Sequence, residues 1–390
     1  MIRVGFVLEG YSWLGGVNYY RNLLSALNLI TDRKVCPIMF IGTQVPDNVV
    51  SNFYCVEIVK SKILDSHTLL GLLRRTVRKF SDQHDRLFTK FLEDHNIDVL
   101  SHFSGTLSRR TRIKTIGWIP DFQHLHLLEL FDEKDRALRN AACNRITRNC
   151  HRILLSSETA KRDLAQFSPE ALNKTRVLRF VPEVDISAPV ISVRDLEKKY
   201  GFHGPYFYLP NQFWLHKNHK IVIEALAALK QAGINATVLA TGNTYDHRYP
   251  NHFSNLMALA KCYGLTDSFK VLGVIPYNDL LSLMHHSLAV INPSLFEGWS
   301  TTVEEAKALN KTILLSNLDV HKEQNPDKGI YFDPTDAKEL GKKMLAVMEN
   351  GADQSESGDN LTYSNNYKNG RLNFALGYQD IVVQLFDDIN

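Results

Sequence analysis

The chain has 390 residues, of which 44% are hydrophobic and 22% are charged, and its net charge is +3. That length predicts two domains, and the composition excludes disordered, collagen-like and small disulfide-stapled proteins. Residues 1–195 carry a net charge of +7 and residues 196–390 a net charge of −4, so we expect the first half to meet an anionic partner, such as a membrane surface or a phosphorylated lipid.

Short apolar segments alternate with helical patterns through the first half of the chain. Residues 3–8 predict a buried strand, which is followed by a glycine-containing turn and a helical pattern over 18–29. Further strands are predicted at 36–41, 99–103, 115–119 and 152–156, and helices at 69–93, 133–150 and 157–167. This alternation predicts a parallel sheet with helices on both faces.

A second series of the same kind begins after a segment rich in proline and glycine, at 182–205. Its predicted strands are 206–209, 236–240, 269–272, 288–292 and 312–316, and its predicted helices are 218–232, 252–263, 278–286, 302–310 and 335–349. A polar stretch at 351–370 predicts a loop, and the apolar residues from Phe374 onward predict a final amphipathic helix. We therefore expect an α/β protein with two consecutive doubly wound domains.

The strongest chemical signal is the segment 293–306, which joins a predicted strand to a predicted helix. Gly298 permits close backbone approach, and the helix start directs free N–H groups and a partial positive charge at whatever precedes it. Phosphate is the natural occupant of such a site. Glu297 and Glu305, eight positions apart, could hold sugar hydroxyls on one side of the phosphate and ribose hydroxyls on the other.

Helix capping is the alternative role for the two glutamates inside that predicted helix. Thr301-x-x-Glu304 and Thr302-x-x-Glu305 both have the spacing of a capping box. In that case one glutamate would bind the helix backbone instead of a ligand.

A second strand-to-helix turn, at 209–219, contains Lys217. An ammonium group there could neutralise a departing diphosphate. A lone lysine at a helix start is more often simply solvated. The position at a second strand end favours the functional role.

Other motifs argue against several classes of protein. Gly10, Gly15 and Gly16 do not have the dinucleotide-binding spacing, which disfavours a nicotinamide enzyme. The pair His124 and His126 has no partner cluster with metal-ligand spacing, and no Asp-x-Asp occurs, so we expect no metal. The five cysteines are scattered, without a Cys-x-x-Cys, and predict neither disulfides nor a zinc site.

Residues 69–91 combine leucines with Arg74, Arg75, Arg78 and Lys79. Such a basic amphipathic helix can lie on anionic lipid, and the alternative is a surface helix with a solvated charged face. We find no nucleic-acid recognition motif. Because the sequence has no signal-peptide pattern and no long apolar stretch, we expect a cytoplasmic protein that contacts the inner face of the cytoplasmic membrane peripherally.

Together these motifs resemble the GT-B glycosyltransferases, and specifically the retaining family numbered four (group 1). Glu297 to Glu305 resembles the Glu-x7-Glu motif of that family, and the resemblance is most specific over 206–316. It implies two facing Rossmann-like domains, with the acceptor side at 1–185 and the nucleotide-sugar site at 200–373. It also implies that a helix at 374–390 crosses back to the first domain.

The same resemblance implies roles for individual residues. Glu297 would contact hydroxyls of the donor sugar, Glu305 the ribose, and Lys217 the diphosphate. Gly16 would approach the same phosphates, and His124 would line the donor sugar near the reacting carbon. The remaining donor-binding residues implied are Gly15, Asn211, Gly273, Ile275, Gly298, Trp299, Ser300 and Thr301, with backbone groups of 273–275 holding the base.

One position departs from the family pattern. Many relatives have arginine six residues before the phosphate lysine, whereas this chain has Asn211, followed by Gln212. A neutral amide supplies hydrogen bonds without a full charge, so diphosphate binding should depend more on Lys217 and on the helix start.

The predicted function is transfer of a hexose, with mannose as one candidate, from a nucleoside diphosphate sugar to a hydroxyl of a glycan or lipid-linked glycan in surface polysaccharide synthesis. The resemblance implies retention of anomeric configuration, and we expect no cofactor. Two alternatives stay open: a nucleotide-sugar epimerase of similar fold, and an inactive glycan-binding protein.

Overall fold

The computed structural model describes residues 1–8, 14–80, 84–185, 188–350 and 360–387. The chain divides into two compact units. The N-terminal unit comprises Met1–Leu125, Phe131–Glu183 and Lys368–Asn390, and the C-terminal unit comprises His126–Leu130 and Val184–Tyr367. The predicted α/β class is confirmed, because each unit contains one parallel sheet with flanking helices.

The N-terminal unit has a seven-stranded sheet in the order β3-β2-β1-β4-β5-β6-β7. Its strands are β1 (Ile2–Val7), β2 (Val35–Ile41), β3 (Glu57–Lys60), β4 (Val99–Ser101), β5 (Lys114–Ile119), β6 (Arg152–Leu155) and β7 (Thr175–Val177). The central strands are almost completely buried apolar runs, as expected for a sheet covered on both faces. The direction of winding reverses between β1 and β4.

The helices of this unit are α1 (Leu14–Leu27), α2 (Asp47–Val50), α3 (Leu69–Lys79), α4 (Arg86–Asp94), α5 (Gln123–His126), α6 (Glu133–Asn149) and α7 (Glu158–Phe167). The prediction of one helix over 69–93 is wrong, because Asp85 starts a second helix. Its carboxylate caps α4 by accepting a hydrogen bond from the Phe88 backbone N–H at 3.2 Å. The predicted turn at Gly15 and Gly16 is also wrong, since both glycines lie in the first turn of α1.

The C-terminal unit has a six-stranded parallel sheet in the order β10-β9-β8-β11-β12-β13. Its strands are β8 (Phe207–Pro210), β9 (Val238–Thr241), β10 (Phe269–Gly273), β11 (Val290–Asn292), β12 (Ile313–Ser316) and β13 (Gly329–Phe332). Apolar clusters cover both faces of this sheet. The order in which strands are added to the sheet reverses direction between the neighbours β8 and β11, so the switch point of the sheet lies at the carboxyl ends of these two strands.

The helices that follow in the sequence are α8 (Val193–Tyr200), α9 (His219–Gln231), α10 (His252–Cys262), α11 (Tyr277–His286), α12 (Thr301–Ala308), α13 (Asp319–Gln324), α14 (Ala337–Glu349) and α15 (Asn360–Asp387). The predicted loop at 351–370 is wrong from residue 360 onward, and residues 351–359 lie outside the described part of the chain. The C-terminal half of α15 packs in the N-terminal unit, where Gln379 accepts a 2.7 Å hydrogen bond from the Lys34 backbone. Once that half is anchored, extending the helix into a polar segment costs little.

Candidate functional site

Two turns leave the sheet of the C-terminal unit at its switch point. β8 and β11 are neighbours in the sheet, although two strands separate them in the sequence. The turn at 211–218 follows β8 and the turn at 293–300 follows β11, and the Leu295 N–H donates to the His216 carbonyl at 2.8 Å. Ligands of open α/β sheets bind at the carboxyl ends of strands at such a reversal. These two turns therefore form the candidate site.

An ion pair between Lys217 and Glu297 joins the two turns. Lys217 Nζ lies 2.6 Å from Glu297 Oε1, and the side chains are only 14% and 9% exposed. The Ser294 hydroxyl donates to the same oxygen at 2.7 Å. Glu297 Oε2 accepts no hydrogen bond from any residue that the structure describes, and it can still bind a ligand hydroxyl. The structure thus brings together the two residues predicted to contact the diphosphate and the donor sugar.

The N-terminus of α12 has no side-chain cap. Ser300 is the cap residue, but its hydroxyl accepts a 2.8 Å hydrogen bond from Asn292 Nδ2 instead of binding the helix. Thr301 and the next residues of the first turn consequently present N–H groups that lack an intrahelical acceptor. This end of α12 has the geometry and the partial charge that an anion requires.

One predicted contact of this helix start needs correction. The Ser300 backbone N–H donates to Gln324 Oε1 at 3.1 Å, and Gln324 Nε2 donates back to the Ser300 carbonyl at 2.9 Å. The Ser300 N–H is therefore already used within the protein. Gly298 and Thr301 remain predicted phosphate or sugar contacts, and Trp299, which is largely buried, remains one too.

The capping-box alternative is wrong for Glu304. The Glu304 carboxylate binds two side chains instead of the helix backbone: Oε1 accepts hydrogen bonds from Gln324 Nε2 at 2.9 Å and from Lys307 Nζ at 3.2 Å. Burial raises the pKa of the Glu304 carboxyl, while Lys307 and Gln324 oppose that rise. Glu305 accepts a 2.8 Å hydrogen bond from the Tyr277 hydroxyl. Its role as a ribose ligand stays a prediction.

Asn211 and Gln212 differ in their surroundings. Asn211 is buried, and its Nδ2 has no hydrogen-bond partner among the described residues, which leaves a donor for a ligand. Gln212 Oε1 instead accepts from the Asn243 backbone at 2.9 Å and fixes the neighbouring turn. That turn requires Gly242, whose φ is +141° and whose Cβ position lies against the Asn211 carbonyl.

The predicted base-binding residues lie at the end of β10. Gly273 has a φ of +71°, and no atom lies near the position that a Cβ would take. Its carbonyl accepts a 2.9 Å hydrogen bond from the Gly242 N–H. Ile275 packs at the edge of an apolar cluster. Their contact with a nucleotide base stays a prediction.

Three residues that build the site carried no sequence motif. Gln324 holds the start of α12, as described above. Asn218 adopts a left-handed φ of +56°, and its Nδ2 donates to the carbonyls of Pro293 and Pro334 at 3.1 and 2.9 Å, which ties the two turns together. A left-handed position favours asparagine, but neither partner is close in sequence.

His321 lies beneath the ion pair. It is completely buried, and its Nδ1 lies 2.8 Å from the Ser316 carbonyl, so Nδ1 carries the proton. Burial lowers the pKa of His321; Glu297 acts in the opposite direction and Lys217 in the same direction. With the proton on Nδ1, the Nε2 atom, which has no partner among the described residues, is a buried acceptor beside the site.

The remaining predicted site residues belong to the N-terminal unit. Gly15 is exposed and Gly16 buried in the first turn of α1, where N–H groups lack intrahelical acceptors. His124 is buried on α5, with Nε2 3.0 Å from Asn140 Oδ1. Their contacts with a donor stay predictions. Residues 9–13, which include Gly10, lie outside the described part.

The N-terminal unit also carries an exposed apolar surface, which we call the apolar face of α3. It consists of Leu69, Leu70, Leu72, Leu73 and Phe80. Arg74 is turned toward the protein: its Nε lies 2.7 Å from Asp85 Oδ2, and its guanidinium covers the Phe88 ring at 4.3 Å. The alternative of an ordinary helix whose charged face is solvated is thus wrong for this side chain.

Two features of the described residues concern metals and membranes. Within the described ranges, no three His, Cys, Asp or Glu side chains are grouped as metal ligands. None of the described helices combines the length and apolar composition needed to cross a bilayer. The absence of a metal requirement stays a prediction.

Comparison with known proteins agrees with this geometry. Residues 195–364 match the family model described as Glycosyl transferases group 1. No curated protein matches the chain. Among solved structures, sucrose-phosphate synthase from Thermosynechococcus elongatus is 15% identical, with a TM-score of 0.69 and complete coverage of both chains.

Two further structures share the fold. Anabaena HepE in complex with UDP-glucose is 16% identical, with a TM-score of 0.66, and the match covers 100% of this chain and 99% of HepE. The lipopolysaccharide outer core galactosyltransferase WaaB is 14% identical, with a TM-score of 0.61 and complete coverage of both chains. The matched domain and the shared fold identify the chain as a glycosyltransferase with the GT-B fold.

Proposed function

We propose that this enzyme transfers a hexose from a nucleoside diphosphate sugar to a hydroxyl of a glycan or lipid-linked glycan. The observation that carries the proposal is the uncapped start of α12 next to Lys217, at the switch point of the sheet. A diphosphate at this place would meet backbone N–H groups, a helix dipole and an ammonium group. The HepE complex with UDP-glucose gives a fold relative with a donor of this class.

In the proposed reaction the bond between the anomeric carbon and the diphosphate oxygen breaks, the acceptor hydroxyl oxygen forms the new bond to that carbon, and the hydroxyl proton passes to the leaving diphosphate. Lys217 and the start of α12 stabilise the negative charge on the leaving diphosphate. Glu297 Oε2 accepts from hydroxyls of the donor sugar, and Glu305 from the ribose. Asn211 Nδ2 supplies a neutral hydrogen bond where many relatives have a full charge.

We propose that donor binding loosens the ion pair of the free enzyme. An ammonium group has three donors, but while Lys217 Nζ stays 2.6 Å from Glu297 Oε1 the carboxylate neutralises part of the charge that a phosphate would meet. The phosphate replaces the carboxylate as the partner of the ammonium, and sugar hydroxyls replace the ammonium as partners of Glu297. Because burying an unpaired charge is costly, these two replacements should occur together. UDP without a sugar should then bind more weakly than the intact nucleotide sugar.

The decisive experiment is a screen of transfer and donor hydrolysis with guanosine, uridine and thymidine diphosphate sugars, GDP-mannose among them. Consumption of one donor to give free nucleotide and a glycosylated acceptor supports the proposal. Conversion of the donor sugar without an acceptor would support an epimerase. If calorimetry detects no binding of any nucleotide sugar, the proposed site is wrong.

We also propose retention of anomeric configuration, supported by the resemblance of Glu297 to Glu305 to the Glu-x7-Glu motif of retaining enzymes. The one-bond coupling between the new anomeric carbon and its proton, measured by NMR, tests this directly. An α-linked product from an α-linked donor supports retention, and a β-linked product contradicts it. Unchanged turnover after treatment with EDTA would support transfer without a metal ion.

We infer that the acceptor is lipid-linked, that it serves surface polysaccharide synthesis, and that the enzyme works peripherally on the inner face of the cytoplasmic membrane. Support comes from the apolar face of α3 and from the net charge of +7 in residues 1–195. Transfer to a lipid-linked acceptor that exceeds transfer to the same free glycan would support this inference. Equal rates would contradict it.

A further inference from the structure

The orientation of α3 is fixed by its polar side. Gly71 packs so closely against the Asp65 carbonyl that no side chain fits there. Arg74 is tied to Asp85, and the Arg75 guanidinium donates to the Ser66 carbonyl. With these contacts in place the helix cannot turn its leucines toward the protein. The apolar face is therefore held outward.

Behind this helix lies a cleft of about 230 Å³, which we call the arginine cleft. Its lining consists of Arg78, Asp85, residues 103–106 and Arg145. The Phe103 ring forms an apolar wall, and it lies against the position that a Cβ on Gly105 would occupy. The glycine thus helps to keep the cleft open.

The charge of the arginine cleft is not balanced by its carboxylate. Asp85 Oδ2 is bound by Arg74 and Asp85 Oδ1 by the Phe88 backbone N–H. Arg78 makes no hydrogen bond or ion pair with the described residues. Arg145 donates only through Nε, to the Ser104 carbonyl at 3.4 Å. Both guanidinium groups keep donors for an anion.

Two guanidinium groups facing one cleft match the oxygens of a phosphoryl group. Arg78 lies almost opposite Leu69 and Leu73 around the helix, so it is separated from the apolar face by about one helix diameter, ~10 Å. An interfacial helix buries its apolar face about 5–10 Å into the boundary between headgroups and acyl chains. The arginine cleft would then stand at the level of the lipid phosphates.

We propose that the arginine cleft binds the phosphoryl headgroup of a membrane lipid while the apolar face of α3 lies in the same leaflet. The inference rests on the proposed membrane contact, and it assigns a defined phosphate site to that contact. The flanking cations Arg75 and Lys79, which are exposed, would add non-specific attraction to an anionic surface.

The test is flotation of the full-length protein with vesicles, without donor or turnover, so that its outcome is independent of the transferase proposal. Vesicles of phosphatidylcholine alone are compared with vesicles that also contain phosphatidic acid. Arg78→Gln with Arg145→Gln should lower affinity for the phosphatidic acid vesicles about tenfold or more. The matched control, Lys338→Gln with Lys342→Gln, removes the same charge from exposed positions on α14 and should change affinity much less.

A second pair of variants separates charge from geometry. Arg78→Lys with Arg145→Lys keeps the positive charge but loses the planar pair of guanidinium donors. Its affinity for the phosphatidic acid vesicles should lie between that of the wild type and that of the glutamine variant. This pair also keeps the test valid if the glutamine variant does not fold. Leu69→Ser with Leu73→Ser should abolish insertion, while binding of inorganic phosphate stays unchanged.

Several results would overturn the proposal. If Arg78→Gln with Arg145→Gln binds the phosphatidic acid vesicles as tightly as the wild type, or as tightly as the control Lys338→Gln with Lys342→Gln, the arginine cleft is not a lipid phosphate site. Binding of inorganic phosphate without any binding to phosphatidic acid vesicles would show an anion site that does not serve lipid. Transfer activity on a soluble acceptor is assayed in parallel. If the wild-type enzyme shows no transfer, the transferase proposal is contradicted, but the result on lipid binding stays valid.

Discussion

The turns at the switch point and the outer side of α3 break the usual distribution of residues in opposite ways. At the switch point, Lys217 and Glu297 are charged but largely buried, whereas on α3 Leu69 and Phe80 are apolar but 88% and 84% exposed. Buried charge and exposed large apolar patches are the unusual cases in soluble proteins. The proposed function accounts for both cases: a diphosphate and sugar hydroxyls would pair the buried charges, and a membrane would cover the exposed leucines.

The largest effect is expected where a buried carboxylate of the N-terminal unit loses the one ion-pair partner that it has among the described residues. Arg74→Ala should lower the free energy of unfolding by about 3 kcal/mol or more, because the Asp85 side chain is 1% exposed and would stay buried with no cation hydrogen-bonded to it, although Arg78 and Arg145 line the same cleft. Urea unfolding measures the change. Arg75→Ala, at an exposed position of the same helix, should cost much less, and Arg74→Ala with Asp85→Asn should recover part of the loss. Equal costs for the two arginines would show that α3 is not held by Arg74.

Lys217→Ala should lower turnover about 100-fold or more, since one preorganised electrostatic stabiliser of the leaving group is lost. Steady-state kinetics with the donor found in the screen measures this. Lys220→Ala removes an exposed lysine one turn along the chain and should leave turnover unchanged. The double variant Lys217→Ala with Glu297→Gln has no unpaired carboxylate. Comparing its unfolding with that of Lys217→Ala shows whether the unpaired carboxylate disturbs the fold. Near-normal turnover of Lys217→Ala would remove this lysine from the site.

Buried histidines extend the comparison to the pH dependence of stability, because each is a buried basic group without a counter-charge. Burial lowers the pKa of His219 to about 3, and burial also lowers the pKa of His102 to about 3. Between pH 6.5 and 3 the unfolded chain binds protons that these folded histidines do not, so stability falls as the pH falls, by at most about 1.4 kcal/mol per pH unit for each.

A matched pair of variants isolates one of these histidines. His219→Phe, whose ring would stack on Phe213 in place of the imidazole at 4.1 Å, should flatten the pH dependence of the melting temperature between pH 7 and 5. His67→Gln, at an exposed position, should leave that dependence as it is. An unaltered slope in His219→Phe would mean that His219 is protonated in the folded protein.

The smallest effect is expected on the apolar face of α3. Leu69→Ser should change the free energy of unfolding by no more than about 0.5 kcal/mol, because this side chain is 88% exposed and loses almost no buried contact. Leu226→Ser, in the core of the C-terminal unit, should cost several kcal/mol. Thermal unfolding measures both. A large cost at Leu69 would indicate that the apolar face already packs against the protein.

Part of the site could be predicted because its signals are local. The strand ending at Asn292, the glycine at 298 and the start of α12 are all visible within one short segment, and their joint meaning depends only on chain geometry. The same holds for most central strands, which are continuous apolar runs. β3, β7 and β13 escaped prediction because each has only three or four residues, most of which are partly exposed, so none of them shows a buried run.

The two parallel sheets, the two strand-to-helix turns and the basic, leucine-rich segment could be predicted, because each follows from periodicity and from residue types that are near neighbours in the chain. Three features could be seen only in the folded protein: Lys217 contacts Glu297, 80 residues away, Gln324 binds the Ser300 backbone, and α3 turns its leucines outward. Such outcomes depend on which strands become neighbours and on which side of a helix finds a buried partner. Those contacts arise between distant parts of the chain, and no local pattern contains them.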